Sequence, residues 1–159
     1  MLVATGIARK GSYGPEMVRD HIVLDFDRRN RRRIVLRTAT DQEILLDFAE
    51  MPRLRNGDAL ILRDRSVVVV SAQSEALLEI CGEDKELIRI AWHLGNRHVS
   101  VQLVDSGLLT RDDHVIAEMV RGLGGKVRSL MAPFDPEGGA YQTETHGNHS
   151  DPFYDAGGR

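Results

Sequence analysis

The chain predicts an α+β protein: an N-terminal small all-β domain, then a ferredoxin-like βαββαβ domain, then a flexible C-terminal tail. Three observations carry this. Residues 1–74 break into short β-branched and apolar runs separated by turn residues. Residues 75–141 alternate strand-like runs with two apolar repeats near 3.6 residues. From Pro133 onward the apolar period gives way to Gly, Pro, Asp, Thr, His and Asn, and residues 142–159 hold too little apolar surface to offset the entropy of ordering.

In the first part, strands are expected at 20–26, 33–38, 43–48, 58–62 and 66–71, joined as hairpins. A polar turn at 27–32 precedes the second of these, Asn56-Gly57-Asp58 and Asp64-Arg65 mark later turns, and Pro52 lies between strands, where its missing N–H does no harm. Residues 72–75 read as a linker. In the second part a strand at 76–81 is followed by a helix capped by Asp84, with Leu87, Ile88, Ala91 and Leu94 on its apolar face. Gly95 suits a left-handed stop. Strands follow at 99–104 and 108–111. Asp112 caps a second helix with Val115, Ile116, Met119, Val120 and Leu123 as its stripe. Gly124-Gly125 ends it before a last strand at 126–131.

Bulk composition narrows the function. The 159 residues suit one medium domain or two small ones. A net charge of -3 makes no demand for nucleic acid or an anionic membrane. The balance is uneven: 13 Lys/Arg against 11 Asp/Glu in residues 1–75, and 8 against 13 afterwards. Aromatics at 5% argue against a base-stacking surface. The lone Cys81 excludes an intramolecular disulfide framework or a cysteine zinc cluster within one subunit. No apolar run reaches the roughly 18 residues of a membrane helix, and residues 1–11 lack a secretion-signal pattern. A soluble, reduced, cytoplasmic protein is expected.

Histidine carries the chemistry. His98 closes the run Trp92-His93-Leu94-Gly95-Asn96-Arg97-His98, where a helix should stop. Its imidazole could ligate nickel, copper or zinc; equally, a histidine at a helix end can simply be exposed and favoured by the dipole. One imidazole is too few for a site, but a two-fold homodimer presents the same residue twice beside its axis. His146 and His149 stand i, i+3 in the tail and could join one ion, though polar tails also carry histidines by chance. His21, His93 and His114 read as structural or exposed. The basic run 28–33 could contact RNA phosphates, but a solvated hairpin tip is the plainer reading. There is no Gly-x-Ser-x-Gly elbow, Walker loop or dinucleotide fingerprint, and no general base is evident beside His98 for a metal-dependent hydrolase.

Taken together, Leu94-Gly95-Asn96-Arg97-His98, Gln102, Asp113-His114-Val115, Leu123-Gly124 and the run from Ala132 to Tyr141 closely resemble the urease accessory protein UreE family. Leu24-Asp25-Phe26-Asp27-Arg28-Arg29 with the Arg31-Arg32-Arg33 turn looks like that family's first β hairpin, and Leu54-Arg55-Asn56-Gly57-Asp58 like a later loop. The resemblance implies a nickel metallochaperone, not an enzyme. It implies a homodimer, with a dimer of dimers left open. It implies nickel delivery to the urease apoprotein with the GTPase UreG and other accessory proteins, and a peptide- or partner-binding N-terminal domain. On this resemblance His98 is the interface nickel ligand and His146 and His149 are the tail ligands. Zinc or copper could occupy the same imidazoles in vitro. The tail is poor in histidine beside the long His-rich tails of some members of that family, which argues for one principal site per dimer over bulk storage.

Overall fold

The computed structural model describes residues 1–138. The chain runs β1 (Leu2–Ala8), a 3-10 turn (Pro15–Met17), β2 (Val18–Leu24), α1 (Phe26–Arg29), β3 (Arg33–Arg37), β4 (Glu43–Asp47), β5 (Ala59–Leu62) and β6 (Val67–Ala72). It continues with β7 (Ser74–Cys81), α2 (Asp84–Asn96), β8 (Gln102–Val104), β9 (Gly107–Arg111), α3 (His114–Gly122) and β10 (Lys126–Pro133). The α+β class is as expected. No described helix is long and apolar enough to cross a membrane.

The first six strands form one curled, mixed sheet in the order β2-β6-β5-β1-β4-β3. Alternation along β3 and β4 turns Leu36, Ile44 and Leu46 inward, where they meet Ile22 and Leu24 of β2 and Val68 and Val70 of β6. Each such side chain contributes roughly 1.5–3 kcal/mol on leaving water. Two expectations fail here. β1 was not foreseen, although it sits centrally, parallel to β4 and antiparallel to β5. The segments on either side of the basic run do not form a hairpin: β2 pairs in parallel with β6, β3 pairs antiparallel with β4, and the helical turn α1 joins them. Asp25 makes that turn by accepting the Arg28 N–H at 2.8 Å.

Buried Asp20 ties β2 to the β3–β4 turn. Its carboxylate accepts the His21 N–H at 2.7 Å and the Thr40 hydroxyl. Burial alone would raise its pKa. Hydrogen bonds from the Thr38 and Thr40 side chains and from backbone N–H groups outweigh that and bring it to about 2.

The second sheet has the order β10-β7-β9-β8, all neighbours antiparallel. With α2 and α3 this is the ferredoxin-like βαββαβ arrangement. Leu78, Ile80, Ile90, Leu94, Ile116 and Val120 fill the layer between sheet and helices. Leu77, Leu109 and Phe134 form a second cluster, against which Phe26 of α1 packs. No loose linker separates the sheets. Only Gln73 falls between β6 and β7, and its N–H is bonded to the Leu24 carbonyl at 2.9 Å.

Candidate metal-binding corner

The corner is built by the way α2 starts and stops. It starts on a capping box: Glu83 is the N-cap, and its N–H donates to the Glu86 carboxylate at 3.0 Å. The cap therefore lies one residue before the expected Asp84. Ile90 and Leu94 are buried on the inner face. Ile88, expected on that face, is exposed, and so is Trp92 one turn later, at 70% and 64%. The exposed apolar stripe runs toward the helix C-terminus.

The stop does not use Gly95, which remains inside the helix. Arg97 is the C-cap, and His98 takes the left-handed conformation with φ of 56°. The His98 N–H donates to the Gly95 carbonyl at 3.0 Å, and the Val99 N–H to the Leu94 carbonyl at 3.1 Å. These two bonds define a Schellman motif with His98 at the position that favours glycine. Val99 packs against the core cluster that contains Leu94, the apolar contact that accompanies such a stop. The left-handed conformation costs a residue with a Cβ about 1–2 kcal/mol. In return, the imidazole sits exposed on a short, well-bonded turn. The expected strand at 99–104 shortens to β8, because the chain must first leave this turn.

His98 stands without a ligand group around it: among the described residues no cluster of three or more His, Cys, Asp or Glu side chains could hold a metal. His93 is half-buried in α2, in edge contact with Trp92 at 5.1 Å between ring centroids. His21 is exposed on β2. His114 is exposed at the first position of α3, whose N-cap is Asp113 rather than the expected Asp112. Asp113 accepts the Val115 and Ile116 N–H groups, and Val115, expected in the buried stripe, is exposed. His146 and His149 lie outside the described residues.

Beside this corner the chain returns after β10. The Asp135 N–H donates to the Gln102 side-chain oxygen at 3.0 Å, and the Glu137 N–H to the Val101 carbonyl at 2.8 Å. The segment is anchored from below by Arg29. Within the basic run, Arg31, Arg32 and Arg33 are exposed as expected, but Arg29 is only 1% exposed. Its guanidinium donates to the Leu54 carbonyl at 3.0 Å and to the Phe134 carbonyl. Burial pushes its pKa down, and the charges of Asp135, Glu75 and Asp25 push back. Phe134 is fully buried, in edge contact with Phe26 at 5.5 Å. Arg111 lies over both rings at 5.4 and 5.8 Å and pairs with Asp27 at 2.9 Å. The local signal for Arg29 was available in Asp25 as an N-cap, with Phe26 and Arg29 spaced i, i+3 on one face. Its partner Phe134, 105 residues away, was not.

The chain matches two family models over most of its length. Residues 8–73 match the one described as UreE urease accessory protein, N-terminal domain, and residues 67–155 its C-terminal domain. It is 49% identical over 150 residues to a urease accessory protein UreE of Rhodopseudomonas palustris strain BisB18, covering 94% of this chain and 71% of the relative. A UreE of strain HaA2 is 53% identical over 127 residues, 79% of this chain and 59% of the relative. A UreE of Chelativorans sp. strain BNC1 is 45% identical over 132 residues, covering 82% and 84%.

Proposed function

The chain belongs to the UreE urease accessory protein family, and from that premise we propose that it carries nickel to urease during assembly of the enzyme's active site. His98 is the fixed ligand, contributed twice at a two-fold homodimer axis. His146 and His149 are the supplementary tail ligands. UreG and the urease apoprotein complex receive the ion in the cytoplasm.

The observation that carries this reading is the exposed left-handed His98 at the end of the exposed Ile88–Trp92 stripe. A strained residue in a position glycine would fill without strain points to a use for its side chain. An exposed apolar stripe suits contact with a second copy, and two-fold contact there would bring two imidazoles together. Imidazole ligation without thiolate suits nickel and is reversible, as delivery requires. Copper outranks nickel at such ligands, so selectivity comes from geometry, partner docking and metal supply. Imidazole binds metal only when neutral, so nickel binding weakens in acid.

Calorimetric titration of nickel into the wild-type chain and His98→Ala tests the proposal. The tight site should disappear from the variant while the dimer persists by sedimentation. An unchanged tight site removes His98 from the metal site.

A further inference from the structure

We propose that the free edge of β3 takes up an extended acidic segment of a partner protein as an added strand, centred on Val35, with Arg33 and Arg37 selecting its charge. The surface belongs to the first sheet and uses no metal ligand. It therefore goes beyond nickel carriage, and neither claim needs the other.

β2 and β3 are the outer strands of the first sheet. The β2 edge is interrupted at its middle, where the His21 carbonyl accepts the Ala39 N–H at 2.8 Å. β3 has no such cover. Antiparallel strands exchange bonds through every second residue. The Thr38 N–H donates to the Gln42 carbonyl and the Phe48 N–H to the Arg32 carbonyl, both at 2.9 Å. The register between them sets Leu36 opposite Ile44 and Ile34 opposite Leu46 in the same phase. Ile34 and Leu36 thus spend their backbone groups on β4. The N–H and C=O groups of Arg33, Val35 and Arg37 point outward, with no bonding partner among the described residues. Such a row of unpaired backbone groups is a template for strand addition.

The side chains decide which strand fits. Arg33, Val35 and Arg37 share the outer face and are exposed, Val35 at 51%. On β4 they stand opposite Asp47, Leu45 and Glu43. Arg33 reaches Asp47 at 4.0 Å, and Arg37 reaches Glu43 at 3.2 Å. Three rows therefore cross the sheet: carboxylate to guanidinium, apolar to apolar, and carboxylate to guanidinium. A strand with acid, apolar and acid at alternate positions continues all three. A second copy does not. Antiparallel self-pairing centred on Val35 sets each Arg33 against an Arg37, and like charges directly opposite repel. Arg31 and Arg32 are exposed just before β3 and make no ion pair among the described residues, which leaves unbalanced positive charge at the start of the strand. RNA phosphates would engage the guanidinium groups alone and leave Val35 and the backbone row without a partner.

The test is amide exchange on the full chain with two blocked peptides, Thr-Glu-Thr-Val-Thr-Glu-Thr and the same sequence with Lys for Glu. In the free chain the Arg33, Val35 and Arg37 amides should exchange fast and those of Ile34 and Leu36 slowly. The Glu peptide should slow the first three; the Lys peptide should not. Arg33→Glu should weaken binding of the Glu peptide about three- to tenfold at low salt and tighten that of the Lys peptide. Val35→Pro removes one outward N–H and no bond to β4. It should abolish the slowing at Arg33 and Arg37 while Ile34 and Leu36 stay slow. No slowing by the Glu peptide overturns the proposal, and so does equal slowing by both peptides. Outward amides that are slow in the free chain and quicken on dilution would put a second copy on the edge and overturn it as well. Binding of polyuridylate in place of the Glu peptide would return the arginines to phosphate contact. Nickel titration of Arg33→Glu should match the wild type, so this proposal and nickel carriage fail separately.

Discussion

The two helices of the second sheet end in the same hydrogen-bond pattern with different residues at its critical position. At the end of α3, Gly124 is left-handed with φ of 92°, its N–H bonded to the Arg121 carbonyl and the Gly125 N–H to that of Val120. At the end of α2, His98 occupies the equivalent place with the equivalent bonds. Backbone physics asks for glycine in both. At α3 it has its way, and there a Cβ would also come within 3.1 Å of the Glu86 carboxylate. At α2 it does not, although glycine stands only three residues earlier. The α3 stop takes the residue that fits this conformation without strain. The stop at α2 instead presents an exposed imidazole at a cost of about 1–2 kcal/mol, and Asp41, Arg53 and Arg65 are the other described non-glycine residues with positive φ.

Acid acts on the other sheet, well below the ordinary histidine range. The largest expected effect lies in the other sheet, at Asp20. Its folded-state pKa of about 2 is below the ordinary 3.8. The carboxylate therefore adds stability that is fully present above pH 4 and is lost as pH falls through 2, about 2 kcal/mol in all. Urea unfolding at pH 7, 4 and 2.5 should show this loss in the wild type and a much flatter profile between pH 4 and 2.5 in Asp20→Asn. A loss that persists in the variant would place the acid-sensitive groups elsewhere.

Gly124→His sharpens the contrast directly. It puts at α3 the residue that α2 tolerates, and should lower stability by about 1–2 kcal/mol in chemical unfolding. A neutral result would mean that this stop accepts a Cβ freely, and the strain argument for His98 would lose its force.

These differences follow what local sequence can carry. The strands at 33–37, 43–47, 59–62 and 67–72 and both helices announce themselves by alternation and by the 3.6 period. The choice of strand partners is not local, so the parallel pairing of β2 with β6 was invisible. β1 holds Thr5 and Gly6, with a register shift between Ala4 and Gly6, and gave little pattern to read. Ile88 and Val115 satisfied the helical period but face outward, since the period marks apolar positions without saying what covers them. The basic run looked uniformly solvated until Phe134 closed over Arg29. His98 was visible as a candidate from its motif. Its backbone was not, because Gly95 offered the more ordinary stop and the helix ran past it.

The smallest effects give the cleanest test, since they separate the side chain from the backbone at one corner. His98→Gly should raise stability by up to about 1 kcal/mol, because the left-handed strain disappears, while abolishing tight nickel binding. Gly95→Ala should raise it by about 0.5 kcal/mol, because Gly95 is helical and a Cβ there meets nothing within 4 Å. It should leave nickel binding unchanged. Thermal unfolding of metal-free protein measures both. If His98→Gly destabilises, the imidazole makes a stabilising contact in the metal-free chain, and its place needs no functional reason. If Gly95→Ala destabilises instead, the helix stops at Gly95 in solution and His98 is ordinary loop. Stability gained at both positions, with nickel binding lost at only one, would mean that α2 is less stable than this sequence region permits and that His98 is kept for its ring.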